Sequence, residues 1–295
     1  MSNALYNLAA IAQQSCPAVT PTQTLDQPVP SDNWLTSVFA VGILLAAVWI
    51  VRRVVYPRKF ALARTPGRAN RIHPAYILAL LAGVVLLASA ARSVIVRFVS
   101  GETELDMLVG AVADIGALVG GLIVAEVSFD LGLKRGMGLT LRRWWYGAVR
   151  GIVACLIALP VCWGLHWLTQ WAVVSLGITP DAGHPLLDAL REATPARRLL
   201  IVVLPIVLAP LAEEVLFRGL LQSMVRQYTR RPWLAILIVS PLFAAVHASQ
   251  WTAIPALLFL SIVLGYNYER TGRLLPCIVA HAGFNAIFVI QTITA

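Results

Sequence analysis

The chain has 295 residues, of which 59% are hydrophobic and only 13% charged, with a net charge of +9 and a mean hydropathy of +0.77. A soluble protein of this size carries about 25% charged residues, so the composition excludes a soluble globular domain and indicates an integral, multi-pass membrane protein. The positive charge is not a nucleic-acid patch: basic residues gather in short loops between apolar runs, where they set orientation in a bilayer, and no Gly-rich phosphate loop or nucleic-acid module is visible.

In chain order, residues 1–33 hold Asp26 and Asp32, no Lys or Arg, and a Pro/Thr/Gln-rich stretch. A secretory leader needs a positive n-region, so this segment reads as a polar tail. Eight apolar segments follow, approximately 34–51, 74–97, 107–127, 146–174, 199–227, 232–250, 251–268 and 274–293. Each is near the ~20 residues that a spanning helix requires. The predicted fold is therefore all-α, a polytopic transmembrane bundle of about eight spans. Its organisation reads as the tail (1–33), a membrane scaffold of four spans with an outer loop (34–198), and a four-span core (199–295).

Loop charge supports the count. Basic residues follow the first segment (Arg52, Arg53), the third (Lys134, Arg135, Arg142, Arg143), the fifth (Arg226, Arg230, Arg231) and the seventh (Arg270, Arg273). That alternation places both termini outside, as in a bacterial-type plasma membrane. The 175–198 loop departs from it, mixing Arg191, Arg197 and Arg198 with Asp181, Asp188 and Glu192 on the outer side, and suits an amphipathic surface helix. The basic inner face is compatible with anionic lipid but selects no peptide.

The first four segments read as scaffold, and their polar insertions Asp114, Glu126, Arg150 and His166 as structural. Gly116 and Gly120 are spaced for close helix packing. Cys155, Cys162 and Cys277 lie in apolar runs and read as small hydrophobes; Cys16 stands in QQSCP, which is not a lipoprotein cleavage box.

The chemistry is concentrated in the last third. Glu213 and Glu214 lie side by side in an apolar run, where each ionised side chain costs roughly 2.5–3.5 kcal/mol. Glu214 and Arg218 are four apart and so share a helix face. A membrane-buried Arg keeps its charge and needs a partner. Glu213 points about a quarter-turn away, free to face a cavity and to act as a general base on water. An ion-paired cluster joining helices would use the same residues.

His247 follows Phe243 by one turn, so that Phe243 can wall the pocket His247 enters; alone, it could as well be a helix-end histidine meeting water. His281 and Asn285 are again four apart, and their imidazole and carboxamide could hold an oxyanion. Both residue types also commonly bond helices together. Gly283 between them permits a close helix approach. On straight helices His247 falls near the outer end of its segment and His281 nearer the inner end, which calls for shifted boundaries or a break at Pro241 or Pro255.

EEVLFR, Phe-xxx-His and His-xxx-Asn, in this order on successive apolar segments, resemble the CPBP family (the CAAX proteases and bacteriocin-processing enzymes, or ABI family), which includes the Ras-converting endopeptidase. The likeness covers roughly 199–293. It implies an α-helical intramembrane endopeptidase acting on a membrane-associated peptide or protein, prenylated in some members. Carried over, Glu213 would be the catalytic carboxylate, Glu214 its partner held by Arg218, His247 a positioner of water, and His281 with Asn285 the oxyanion donors. Glu213, His247 and His281 could instead make a His₂Glu zinc site, but no HExxH occurs and a glutamate-activated water needs no metal, so no cofactor is expected. Competing readings are a non-catalytic immunity or partner-binding protein of the same fold, and a transporter; the repeated halves that transporters often show are not visible.

Overall fold

The structure, a computed structural model, describes residues 33–57, 62, 68–99, 102–140, 143–178 and 195–294. The polar tail, Cys16 and most of the 175–198 loop with its expected surface helix lie outside the described residues. Two compact units are distinguished, Met1–Thr36 and Ser37–Ala295. Among the described residues the first holds only the opening turn of the first helix.

Eight principal helices are present among the described residues: α1 (Asn33–Val55), α2 (Pro74–Ile95), α3 (Glu102–Ser128), α4 (Trp144–Ser175), α5 (195–229), α6 (Pro232–Ala245), α7 (Ile254–Thr271) and α8 (Leu275–Thr294). There is no strand among the described residues, only an isolated bridge between Asn70 and Phe129. The chain is an all-α polytopic bundle. Six of the helices are long and apolar enough to cross a membrane; α6 and α8 are apolar but shorter in their described parts.

Between apolar helices in lipid, small residues set the contact because they let backbones approach. The α2–α3 seam follows this rule: a Cβ on Gly116 would stand 2.6 Å from Leu87 Cδ2, and one on Gly120 2.5 Å from Leu80 Cδ1. So does α4 against α8. A Cβ on Gly151 would run into Pro276 O and Val279, and one on Gly283 would stand 3.3 Å from Cys155 Sγ. Ala154, Ala158 and Leu159 of α4 join Leu260 and Leu264 of α7 and Ala280 and Phe284 of α8 in one buried cluster. Cys155, Cys162 and Cys277 are buried there too, as small hydrophobes would be.

Two boundaries differ from expectation. The sixth segment ends at Ala245, a 3₁₀ turn occupies Ala248–Ala253, and α7 begins at Ile254. Pro241 sits inside α6 without ending it, and Pro255 occupies the first turn of α7, the position where a missing N–H costs nothing. His247 therefore lies in the α6–α7 connection rather than in a span. Arg226, counted with the basic loop, belongs to α5 and is buried, 3.6 Å from Glu269 on α7. Gln222 Nε2 donates to the same glutamate at 3.0 Å.

The expected depth mismatch between His247 and His281 is absent, since their Nε2 atoms lie 3.9 and 3.8 Å from the two oxygens of Glu213. Gln222 Nε2 donates to Gly265 O (3.1 Å), while Cys277 Sγ lies 3.3 Å from Leu264 O. Gln222 and Cys277 are thus at one depth, and roughly the last turn and a half of α5 extends past the start of α8. These helix ends are not level, so counting residues from each end misplaces their partners.

Candidate active site

Helix α5 is not one regular helix. Wide π turns at Leu204–Leu208 and Val215–Gln222 flank the α-helical Ala209–Glu214. Pro210 explains the first. A proline lacks an N–H and its ring clashes with the carbonyl four residues back, and a π register relieves that clash. In this register Ala209 N–H donates to Leu204 O, five residues back. The next bond would run from residue 210 to Pro205 O, but Pro210 has no proton to give. Asn285 Nδ2, from α8, donates to Pro205 O instead, at 2.8 Å.

Glu214 and Arg218 are fully buried, and Arg218 Nη1 donates to Glu214 Oε1 at 2.9 Å. Arg218 Nη2 donates to Ser261 Oγ at 2.8 Å, and its guanidinium lies 4.5 Å from the centre of the Phe243 ring. Breaking such a pair strands a buried charge, at roughly 3–5 kcal/mol. His281 Nδ1 meets the same Glu214 oxygen at 2.9 Å. The helical spacing of Glu214 and Arg218 thus produces the expected pair, and the tertiary fold adds His281 to it.

Glu213, one residue earlier, faces a cavity of about 410 Å³. That volume is within the range of small-ligand sites. His247 Nε2 lies 3.9 Å from Glu213 Oε1, and His281 Nε2 3.8 Å from Glu213 Oε2. Both imidazoles are oriented by their other nitrogen. His247 N–H bonds to Ala244 O in the tightened end of α6, so Phe243 O is released and receives His247 Nδ1 at 2.9 Å. A carbonyl only accepts, hence Nδ1 carries the proton. Facing a carboxylate already bound to Arg218, His281 Nδ1 likewise donates. In their neutral forms both rings then turn an Nε2 lone pair toward the Glu213 carboxylate. Three acceptors converge there, and a proton donor with two hydrogens, such as water, satisfies that arrangement.

Phe243 is fully buried behind this constellation. Its ring is 5.0 Å from that of His247 and 5.6 Å from that of His281, centre to centre. The expected wall is there, and it backs both imidazoles and the Arg218 guanidinium.

The structure places five of the six residues singled out from sequence, Glu213, Glu214, Arg218, His247 and His281, in one connected cluster. Asn285 lines the same cavity, with one amide proton committed to Pro205 O and a second remaining. Among the described residues, no three His, Cys, Asp or Glu side chains are spaced to hold a metal ion. The 3.8–3.9 Å gaps exceed the roughly 3.4 Å between ligands at zinc–ligand distances near 2.1 Å. The Glu213, His247 and His281 set does not fit that ion as arranged.

Sequence reasoning missed part of the wall. His166 and Gln170 of α4 line the cavity together with Gln250 and Thr252 of the 3₁₀ turn, and Gln170 Nε2 donates to Thr252 Oγ1 at 3.3 Å. Asp114 of α3 interacts electrostatically with Glu213. Glu126 and Arg150, read from the sequence as structural, each make a local bond. Glu126 accepts from Leu133 N–H at 2.8 Å, and Arg150 donates to Tyr146 OH at 3.1 Å. A polar residue four before a glutamine on α4 was the only available signal, since it marks one wet face on an otherwise apolar helix.

Residues 195–287 match the family model described as type II CAAX prenyl endopeptidase Rce1-like. The uncharacterized protein YpbD of Bacillus subtilis (strain 168) is 36% identical over 83 residues, which are 27% of this chain and 39% of that protein. The chain thus spans well under half the length of this curated relative. No solved structure matches the chain. The segment that carries EEVLFR, Phe-xxx-His and His-xxx-Asn lies inside this match: residues 195–287 of this integral membrane chain are similar to the Rce1-like type II CAAX prenyl endopeptidases.

Proposed function

We propose that the chain is an intramembrane endopeptidase that hydrolyses a peptide bond of a membrane-associated peptide or protein with a glutamate-activated water. The observation that carries this reading is the convergence of His247 Nε2 and His281 Nε2 on the Glu213 carboxylate at the wall of a 410 Å³ cavity. An ion-paired cluster that only joins helices has no need of that opening, and the Glu214–Arg218 pair already serves the joining role.

In the proposed step, water donates one proton to Glu213 and is held by the His247 lone pair. Glu213 takes that proton as the oxygen adds to the scissile carbonyl carbon, and the carbonyl oxygen receives the electron pair. The second amide proton of Asn285 faces that oxyanion, and His281 joins it as a donor when the ring enters the step as an imidazolium, its Nε2 proton taken from solvent beforehand and its charge compensated by Glu214. Collapse breaks the C–N bond, and the proton held on Glu213 leaves with the amine. Glu214 and Arg218 act as positioning residues. No metal is used in this scheme, consistent with the spacing of the three donors. Residues 199–295 serve as the catalytic core and 34–198 as its scaffold, with α4 also lending His166 and Gln170 to the cavity. Basic loops after α1, α3, α5 and α7 support both termini lying outside.

The test is cleavage of a peptide library, prenylated and plain, by purified protein in bilayers, comparing wild type with Glu213→Gln. Turnover by wild type and none by the variant supports the reading. Equal rates would remove Glu213 from it, and absence of turnover in both would favour the partner-binding alternative.

A further inference from the structure

A second concavity lies at the opposite end of α4 from the catalytic cavity. It has a volume of about 480 Å³ and is lined by Arg143, Arg150, Arg270 and Arg273 together with Trp145 and Tyr146. Arg150 precedes His166 by 16 residues, which is about 24 Å along a helix, so the two sites are separate. Four guanidiniums from three elements meet here: the first turns of α4, the last turn of α7, and the α7–α8 turn. None of the described lining residues is acidic.

The first turns of α4 and α8 border the same space through Gly147 and Pro276. Both helix N-termini add partial positive charge there. The arginines are held rather than loose. Arg273 Nη2 donates to Thr140 Oγ1 at 3.2 Å, and Arg150 stacks against Tyr146, 5.4 Å from its ring centre. A preformed fork of guanidiniums matches phosphate oxygens in geometry as well as charge. Depth identifies the source. Trp144, Trp145 and Tyr146 are about half exposed at the start of a span, and exposed Trp and Tyr at a span end mark the headgroup level of a bilayer.

We infer that this pocket binds a phosphate group supplied by the headgroup of an anionic phospholipid. Basic pockets between spanning helices commonly take such headgroups. Because the pocket includes the first turn of α8, which carries His281 onward to the cavity, an occupied site would tie α4, α7 and α8 together at their inner ends.

The experiment is native mass spectrometry of the full chain from detergent, titrated separately with phosphatidylglycerol, phosphatidylcholine, glycerol phosphate and inorganic phosphate. Phosphatidylglycerol should be retained over phosphatidylcholine, and its binding should weaken roughly tenfold to thirtyfold in Arg143→Gln/Arg150→Gln, following the contribution of each basic residue at an anionic surface. Arg52→Gln/Arg53→Gln on α1 should leave it unchanged. A diazirine-headgroup phosphatidylglycerol should label wild type within 143–150 or 270–276, a readout that needs no variant. Equal retention of both lipids, equal loss in the α1 variant, or labelling elsewhere would overturn the assignment. Displacement of the lipid by inorganic phosphate or glycerol phosphate at similar concentration would overturn the lipid source.

Discussion

His281 Nδ1 and Glu214 Oε1 are 2.9 Å apart, although 67 residues separate them, and Arg218 Nη1 reaches the same oxygen at 2.9 Å. One carboxylate oxygen thus anchors α8 to α5 and sets which imidazole nitrogen faces the cavity. The adjacent Glu213 is left facing the cavity. The neighbouring carboxylates differ in surroundings: Glu214 is fully buried, whereas the Glu213 side chain is 22% exposed.

Glu213→Gln should remove hydrolysis while the protein remains folded. Loss of a general base typically costs 10²–10⁴-fold in rate. Glu213 has no arginine partner among the described residues, so the unfolding midpoint in detergent should move little. A large drop in midpoint with residual turnover would contradict this division of labour.

Arg218→Met should behave in the opposite way. It leaves Glu214 as a buried, half-partnered charge, and the expected destabilisation is roughly 3–5 kcal/mol. Glu214→Gln/Arg218→Met should recover part of that loss, because no stranded charge remains. Denaturant unfolding of the two variants and of Glu214→Gln would measure the coupling as a double-mutant cycle.

Asn285→Ala removes the donor that satisfies Pro205 O. The stability loss should be about 1 kcal/mol, as for one hydrogen bond. Turnover should fall by about 10²–10³, as for one oxyanion donor. Asn285→Asp sets an acceptor against the carbonyl and should be worse in stability. If Asn285→Ala lowered stability alone, the residue would be a helix-joining group only.

A strong chelator should leave cleavage unchanged, and added zinc should not raise it. The 3.8–3.9 Å spacing between Glu213 and the two imidazoles is the basis of this expectation. Activity lost in chelator and restored by zinc would show that the three side chains close onto an ion.

Gly138→Ala tests the turn beside α7. Gly138 has φ +79°, and a Cβ there would run into the backbone carbonyl of Gly272. A left-handed alanine costs roughly 1–2 kcal/mol, and the backbone clash adds to it, so a loss of at least about 2 kcal/mol is expected in thermal or denaturant unfolding.

What the sequence determined by itself was everything governed by a local period. Apolar runs of spanning length located the helices, and the four-residue spacing of Glu214 with Arg218 placed both on one face. Gly116 and Gly120 marked a contact seam for the same reason. These follow from 3.6 residues per turn and from the cost of charge in lipid, neither of which depends on the rest of the chain. The tertiary structure decided what lies between helices. That Pro210 would release Pro205 O, and that Asn285 would reach it across 80 residues, depends on how α5 and α8 are rotated against each other. The same holds for His166 and Gln170, whose four-residue spacing marks a wet face but not what it meets, for Asp114, and for His247, whose helix ends two residues before it. Helix tilt, rotation and relative depth are set by packing of small residues such as Gly151 and Gly283 against neighbouring helices, and those partners are invisible until the bundle is assembled.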